Sequence, residues 1–392
     1  MYNFFILFSV LVFTPHIILT FSSIIQWQRF VLKANTKSNK TLPCTVVIPF
    51  YNNSESISRV IKSLDSKDLH RLIQDIIIVC DKESEDLQLT IELDIKTRNK
   101  IHIIFNPKNI VSKSSALNFS LSFIKTPIVL FLDADTRIIS EKINLMIRYI
   151  SSNASDVVIG MILHEKTENI QQEISIWDKM ISHAIFRFGR YVCRLNPNIP
   201  GQCFLIRKDV FQRGAYFPES GTDDLCFSYL LNTISASITV LPVVIAFEEP
   251  RKSTVSLIKQ RTRWFVYLYK SLSFIRDCLA KVDIINRIGM LLHFFLYYAF
   301  PIYLFFLGVG GIFNLQSFYL FSVGLLVYAI TAISSSLLLH RQFTVRSILT
   351  LSAFLFLWPI QIIVSLILAI AFIATNRNTD LNSETRKKLF QR

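Results

Sequence analysis

The chain has 392 residues, a formal net charge of +14 and a 51% hydrophobic share that includes 33 phenylalanines. That length accommodates one soluble domain together with membrane segments. A disulfide scaffold or zinc module is excluded: the six cysteines (Cys44, Cys80, Cys193, Cys203, Cys226 and Cys278) are scattered without Cys-x-x-Cys or zinc spacing, and are expected to be free and mostly buried. The positive charge does not point to nucleic acid, because no binding-module signature and no arginine-rich stretch with interleaved aromatics is present. Basic flanks that face anionic lipid and polyphosphate substrates account for it.

No Asp, Glu, Lys or Arg occurs from Met1 to Gln28, from Ile288 to Leu339, or from Ser347 to Asn376. A spanning helix needs ~20 predominantly apolar residues. The first window therefore holds one span, the second two around Asn314, and the third one. This divides the chain into an N-terminal span (1–27), a soluble region (28–285), about three spans (286–376) and a basic tail (377–392). A cleaved signal peptide would need a positive start and small residues before the cut. Met1-Tyr2-Asn3 and Gln26-Trp27-Gln28 offer neither, so a retained anchor is expected. Arg29, Lys33, Lys37 and Lys40 place the side after the first span in the cytoplasm, and His340, Arg341 and Arg346 return the last loop there. The uncharged Gly311–Gln316 turn reads as external. Arg377, Arg386, Lys387 and Lys388 depart from this pattern, since four spans would place the tail outside.

From Thr45 the soluble region alternates strand-like and helix-like runs. Thr45–Ile48, Ile76–Val79, Ile101–Phe105 and Ile128–Leu132 read as buried strands. Helical patterns start at Ser54, as an N-cap, and at Ser114 or Ser115. Lys82 to Lys100 reads as a surface helix and loop. The alternation predicts an α/β domain whose mostly parallel sheet is covered by helices on both faces. Ligands in such sheets sit at the carboxyl ends of strands. Tyr51 and Asn52, Asp81, and Asp133 with Asp135 stand at those ends. Gly-x-Gly-x-x-Gly, Gly-Lys-Ser/Thr and His-Glu-x-x-His are all absent, which argues against dehydrogenases, P-loop enzymes and zincins.

Three patterns carry chemistry. Asp133-Ala-Asp135, just past a buried strand, suits a hard divalent cation shared with a diphosphate. Asp223-Asp224 offers a general base, one member's pKa being raised by the other. The same pair, after Thr222 as N-cap, also suits an ordinary helix start. Gln260, Arg263 and Trp264 share one helix face, with Val255, Ile258, Phe265, Tyr269 and Leu272 on a different one. That is an amphipathic helix able to lie on a membrane and present its polar face to a site; a basic interfacial helix with a Trp anchor has the same pattern. A second pattern, Ile174, Trp177, Ile181, Ile185 and Phe188, reads as interfacial or packed and carries no chemistry.

Taken in order, these motifs resemble family 2 glycosyltransferases of the membrane-embedded processive kind, similar to cellulose, hyaluronan and poly-N-acetylglucosamine synthases. Val47-Ile48-Pro49-Phe50-Tyr51-Asn52-Asn53 resembles the opening strand, and Val79-Cys80-Asp81 the strand whose Asp contacts uracil. Ser112-Lys113-Ser114-Ser115-Ala116-Leu117-Asn118 resembles the segment whose Lys lies near the nucleotide. Leu132–Thr136 resembles the metal motif, Gly201–Asp209 the acceptor-side strand, Thr222-Asp223-Asp224 the Thr-Glu-Asp base motif, and Gln260-x-x-Arg263-Trp264 is complete. Phe50, Asn53, Lys82-Glu83 and Asp223 depart from the usual residues. The resemblance covers about residues 43 to 270.

It implies a GT-A fold, a Rossmann-like mixed sheet with helices on both faces, inserted between transmembrane helices. It also implies an inverting glycosyltransferase with a UDP-sugar donor, Mg²⁺ or Mn²⁺, and a β-linked polysaccharide product exported through the spans. Asp224 would be the base. Asp133 and Asp135 would hold the metal, while Tyr51, Asp81, Lys113 and Asp133 bind the nucleotide sugar. Asp223, Gln260, Arg263 and Trp264 would shape the acceptor–diphosphate junction. The expected setting is a multi-pass protein of the plasma (inner) membrane, or of Golgi or ER in a eukaryote, with a cytoplasmic catalytic domain and an oligomer or accessory subunit to widen four spans into a pore. The first rival is a lipid glycosyltransferase similar to ceramide glucosyltransferases, with a similar length and N-terminal span. The second is a non-catalytic scaffold subunit, against which the intact acidic positions argue.

Overall fold

The computed structural model describes residues 2–34, 41–50, 54–80, 95–107, 112–152, 155–165, 169–219, 222–339 and 344–375. Tyr51, Asn52, Asp81, most of the Lys82–Lys100 stretch, His340, Arg341 and the basic tail lie outside the described residues.

Helix α1 (Tyr2–Ala34) comes first. The soluble region then runs β1 (Cys44–Phe50), α2 (Ser54–Leu64), β2 (Ile73–Cys80), β3 (Ile101–Phe105), α3 (Lys113–Ser120), β4 (Ile128–Leu132), β5 (Thr136–Ile138), α4 (Ser140–Ser152) and β6 (Val157–His164). Helix α5 follows as one continuous rod: α-helical over Ile170–Met180, π-helical over Ile181–Arg187, and α-helical again over Phe188–Val192. Strand β7 (Cys203–Arg207), α6 (Asp223–Thr233) and β8 (Ile238–Glu248) complete the sheet region. Long helices then take over: α7 (Thr254–Lys281), α8 (Ile284–Gly311, with a π-helical stretch at Phe295–Ala299), α9 (Leu315–Leu338) and α10 (Val345–Thr375).

The eight strands form one sheet in the order β3-β2-β1-β4-β7-β6-β8-β5. The expected parallel character holds for β3-β2-β1-β4, whose three pairings are all parallel. Beyond β4 the sheet is mixed: β7 runs antiparallel to both β4 and β6, β8 is parallel to β6, and β5 closes the edge antiparallel to β8. The first half is set by strand–helix–strand crossovers, each of which returns the chain parallel. Strand β1, between β2 and β4, makes the order reverse at its carboxyl end, where such sheets open a crevice for ligands.

Alternation along the strands separates two cores. Val46 and Ile48 of β1 point with Ile57 and Ile61 of α2 and Ile143 and Ile147 of α4 into one. Val47 points with Leu117 of α3, Phe188 of α5 and Trp27 of α1 into the other. The first helix is therefore packed on the soluble domain as well as on the apolar helices. Its contact with α5 is close enough that a Cβ at Gly189 would stand 2.9 Å from the Leu19 carbonyl oxygen. A third core joins α1, α5 and α7 to α8, α9 and α10, with Tyr328 stacked on Trp358 at 4.8 Å.

Among the described residues four helices are long and apolar enough to cross a membrane: Ile6–Val31, Ile284–Gly311, Leu315–Leu338 and Val345–Thr375. These are one before the soluble region and three after it, as the charge-free windows lead one to expect. Asn314 separates the middle pair by capping α9, its Oδ1 accepting from the Gln316 N–H at 2.9 Å. The six cysteines are free, and five of them are buried.

Candidate active site

The site forms where β4 ends. Asp133 follows Leu132 directly, and its N–H donates to the Gln202 carbonyl at 2.8 Å, extending the β4–β7 pairing by one bond. The chain turns at once, the Thr136 N–H closing onto the Asp133 carbonyl at 3.1 Å. Asp133 and Asp135 are thereby held on a tight turn at the crevice.

Lys113 approaches from the neighbouring helix. It is the first residue of α3, whose start is capped by Ser112: the Ser112 Oγ accepts from the Ser115 N–H at 3.0 Å. The expected start at Ser114 or Ser115 moves forward, because those serines are buried and serve other bonds. Ser114 Oγ donates to the Pro218 carbonyl at 2.9 Å, and Ser115 Oγ accepts from Asn106. Lys113 Nζ forms an ion pair with Asp133 Oδ1 and donates to the Gly201 carbonyl at 2.8 Å. One ammonium thus ties α3 to the turn after β4 and to the start of β7.

Asn118, five residues on, grips the backbone of Phe217 twice at 2.8 Å, once as donor and once as acceptor. This pair and the Ser114–Pro218 bond staple α3 to the segment that leads into α6. Asp223 and Asp224 are the first residues of that helix. Thr222 stands at the N-cap position but does not cap: its hydroxyl bonds Ser271 of α7 at 2.9 Å instead. Asp224 is exposed, and a Cβ built at Gly201 would come within 3.0 Å of its Cβ. Only glycine lets β7 begin this close to the carboxylate.

Charge follows from this packing. Burial opposes the Lys113 ammonium, yet Asp133, Asp223 and Asp224 outweigh it and hold its pKa above the ordinary lysine value. Burial pushes Asp133 up to about 6; Lys113 works against that rise, while Asp135 and Asp224 add to it. The carboxylates are crowded, as suits a cation shared between them. Asp133 and Asp135 with substrate phosphate oxygens fit a hard divalent ion, which takes few protein ligands when phosphates supply the rest. Among the described residues no group of three or more His, Cys, Asp or Glu is arranged around a metal. Asp135 also borders a cleft of about 460 Å³, where Arg59 and Arg137 are neutralised by Glu249 and Glu165.

The structure brings Lys113, Asp133, Asp135, Asp223 and Asp224 to one place. Tyr51 and Asp81 lie outside the described residues. Gln260 and Arg263 sit partly buried on α7, and Trp264 is 41% exposed. Helix α7 meets the start of α6 through Ser271, about two turns beyond Trp264. The apolar face expected for α7 is divided between the protein interior and the surface. Its buried stripe is Leu257, Arg261, Phe265 and Val266, whereas Val255, Tyr269 and Leu272 are exposed. Arg261 is tolerated inside because Asp178 of α5 and Gln361 of α10 each accept from its guanidinium at 3.0 Å. Asp178 and Gln361 are distant in sequence, so pattern reading does not find this triad. The helix pattern at Ile174, Trp177, Ile181, Ile185 and Phe188 is wholly packed, Trp177 Nε1 donating to Thr350 of α10 at 3.2 Å.

Comparison with known proteins agrees with this geometry. Residues 45–214 match the sequence model described as glycosyl transferase family 2. No curated protein sequence matches the chain. Among solved structures, the mannosyltransferase PcManGT of Pyrobaculum calidifontis, in complex with GDP-mannose and Mn²⁺, aligns with a TM-score of 0.55 at 14% identity over 92% of this chain and 99% of its own. TarS of S. aureus with UDP aligns at 0.44 and 16% identity over 63% of this chain and 68% of its own. Glucosyl-3-phosphoglycerate synthase of Mycobacterium tuberculosis, with Mn²⁺ and UDP, aligns at 0.42 and 14% identity over 60% and 80%. Residues 45–214 carry a glycosyl transferase family 2 domain, the fold is GT-A, and the protein is a glycosyltransferase.

Proposed function

We propose that this protein is a membrane-embedded inverting glycosyltransferase that moves a sugar from a UDP-sugar to an acceptor held at the bilayer. The observation that carries the reading is the convergence of Lys113, Asp133 and Asp224 around Gly201, with Asp135 on the turn that Asp133 begins, at the crevice where strand order reverses. Asp224 is exposed and accepts a proton from the acceptor hydroxyl as that oxygen attacks the anomeric carbon. Lys113 holds positive charge at the diphosphate side. Asp133 and Asp135 are the residues to hold Mg²⁺ or Mn²⁺, which when bound neutralises the diphosphate leaving group. Asp223 and the exposed Trp264, with Gln260 and Arg263, border the acceptor; Tyr51 and Asp81 contact the nucleoside.

The fold has the four apolar helices that a cytoplasmic catalytic domain with one span before it and three behind it requires. A β-linked glycan polymer is the product implied by the Gln-x-x-Arg-Trp motif. A single transfer to a lipid is the second reading. It is favoured by the narrow set of four helices and by the buried arginines described below, which adjoin one of them.

The test is to incubate purified protein with a panel of UDP-sugars and with GDP-mannose, the donor bound by the Pyrobaculum enzyme. Product identity and size are then read. Asp224→Asn should keep donor binding and lose roughly 10²–10⁴-fold in transfer. Near-wild-type turnover in that variant removes Asp224 as the base, and absence of transfer from every donor removes the proposal.

A further inference from the structure

Two arginines on the π-helical part of α5 and just beyond it have no carboxylate partner among the described residues. Arg187 is partly buried; its Nε donates to the Asn198 carbonyl at 2.8 Å and its Nη1 to His183 Nδ1 at 2.6 Å. Arg190 is 1% exposed; its Nε donates to the Phe186 carbonyl at 3.0 Å, and its Nη1 to Asn198 Oδ1 and the Gly289 carbonyl, both at 3.3 Å. Neutral oxygens and a neutral imidazole thus receive two guanidinium charges. Burial lowers both arginine pKa values, that of Arg190 to about 10; for Arg187, Tyr297 and the Asp224 charge oppose the shift without reversing it, as expected where no hydrogen-bonded anion repays desolvation.

The donor surplus goes further. Asn198 is 5% exposed, and its Nδ2 is buried without an acceptor among the described residues. His293 of α8, close enough to feel both arginine charges, leaves Nδ1 unpaired. The neighbouring Asn196 keeps an unpaired carbonyl oxygen, which suits a guest carrying a hydroxyl beside its anion. Buried polar atoms are nearly always paired, so a cluster of unpaired ones around two arginines with no bonded carboxylate indicates a missing partner.

Position says which partner. Asn198 lies three residues before Gly201, whose backbone abuts Asp224, and Arg187 feels the Asp224 charge. On the other side the cluster meets Gly289, inside the apolar helix Ile284–Gly311. The cluster therefore lies between the candidate base and a membrane-spanning segment. π-Helical turns are frequent at functional sites, and planar guanidinium forks match phosphate geometry.

We propose that Arg187, Arg190 and Asn198 form a subsite for the phosphate of a phosphate-bearing lipid acceptor, whose free hydroxyl is thereby delivered to Asp224. This rests on the function proposed above. In the step, the hydroxyl oxygen bonds to the anomeric carbon and the bond from that carbon to the diphosphate breaks. The nucleoside diphosphate leaves with the electron pair, and the hydroxyl proton passes to Asp224. The lipid phosphate is unchanged and serves only as the handle.

The probe is phosphatidic acid. The full-length protein is reconstituted in phosphatidylcholine vesicles, alone, with phosphatidic acid, or with oleate at equal surface charge, and its thermal unfolding midpoint is followed. In detergent the same is done with inorganic phosphate. Phosphatidic acid should raise the wild-type midpoint and oleate should not, because a ligand that binds only the folded state stabilises it. In Arg187→Gln the half-saturating phosphatidic acid should rise roughly ten- to a hundredfold, as expected for lost charged hydrogen bonds. Asn198→Asp supplies the missing anion itself; it should raise the midpoint without lipid and abolish the response.

An equal response to oleate, or an unchanged one in Arg187→Gln or Asn198→Asp, overturns the subsite. Inorganic phosphate acting as well as the lipid overturns the lipid assignment. A nucleotide sugar that stabilises the wild type while phosphatidic acid does not leaves the proposed function standing and this subsite fallen. The reverse result leaves the subsite and removes the function.

Discussion

Gly201 lies directly against Asp224: a Cβ at position 201 would stand 3.0 Å from the Asp224 Cβ and 3.3 Å from its Oδ2. The same glycine gives its carbonyl to Lys113, which is ion-paired with Asp133. One backbone position thus sets the spacing between the candidate base and the candidate diphosphate end.

Gly201→Ala should therefore displace Asp224 by a few tenths of an ångström without a large loss of stability. Misplacing a reacting group by about 1 Å can cost 10²-fold, so a fall of roughly three- to tenfold in transfer is expected. Rates and unfolding midpoints measured together check it. Wild-type rates would mean that the contact does not fix the position of the base.

Asp135→Ala should weaken donor binding in Mg²⁺ or Mn²⁺, and a chelator should abolish wild-type transfer, because a hard cation on a diphosphate needs carboxylate oxygens from the protein. Titration of the nucleotide sugar with and without metal is the measurement. Binding that ignores both the metal and the substitution makes the Asp133–Asp135 turn structural.

Helix α7 should separate anchoring from chemistry. Asp178→Ala strands the buried Arg261 charge and should cost roughly 3 kcal/mol, the low end for a broken buried pair because Asp178 keeps some contact with water. Phe265→Asp, a charge against Tyr298, should likewise reduce folded protein. Trp264→Ala removes an exposed ring and should leave protein level intact while depressing transfer roughly three- to tenfold. If Trp264→Ala lowers protein level and not turnover, the tryptophan is an interfacial anchor.

Acid should destabilise the fold between about pH 6.5 and pH 4. Burial, then the Glu248 charge in opposition and Lys179 in support, leaves the His164 pKa at about 4. Burial followed by Arg187 holds His183 well below its ordinary value. In that window the unfolded chain binds protons that the folded histidines refuse, so stability falls with pH by up to roughly 1.4 kcal/mol per unit for each. Asp133, raised to about 6, works in the opposite direction and cancels about one of the two. The unfolding midpoint should drop from pH 7.5 to pH 5, and His164→Gln should flatten that drop. A midpoint that rises on acidification contradicts the assignment.

Local pattern was enough for much of the architecture. The strands at residues 45–132 were legible as apolar runs, and the spans because a bilayer tolerates no charge in a window of that length. Ile101–Phe105, expected to be buried, is instead the edge strand β3 with Ile103 and Phe105 exposed, because among the described residues no strand pairs beyond it. The acidic pairs and Lys113 were legible because a strand end or helix start fixes where its next residue points. Tertiary structure alone decided the rest. The antiparallel return of β7 between β4 and β6, which places Gly201 beside Asp133, depends on pairing across about 70 residues. Thr222 had the sequence of a cap, yet its hydroxyl turned to Ser271 once α7 packed there. Arg261, to which the helix pattern assigns no role, is buried because Asp178 and Gln361, far apart in the chain, converge on it. A sequence states which side chains are available at each position; which charges lose their water, and what replaces it, is settled only when distant elements meet.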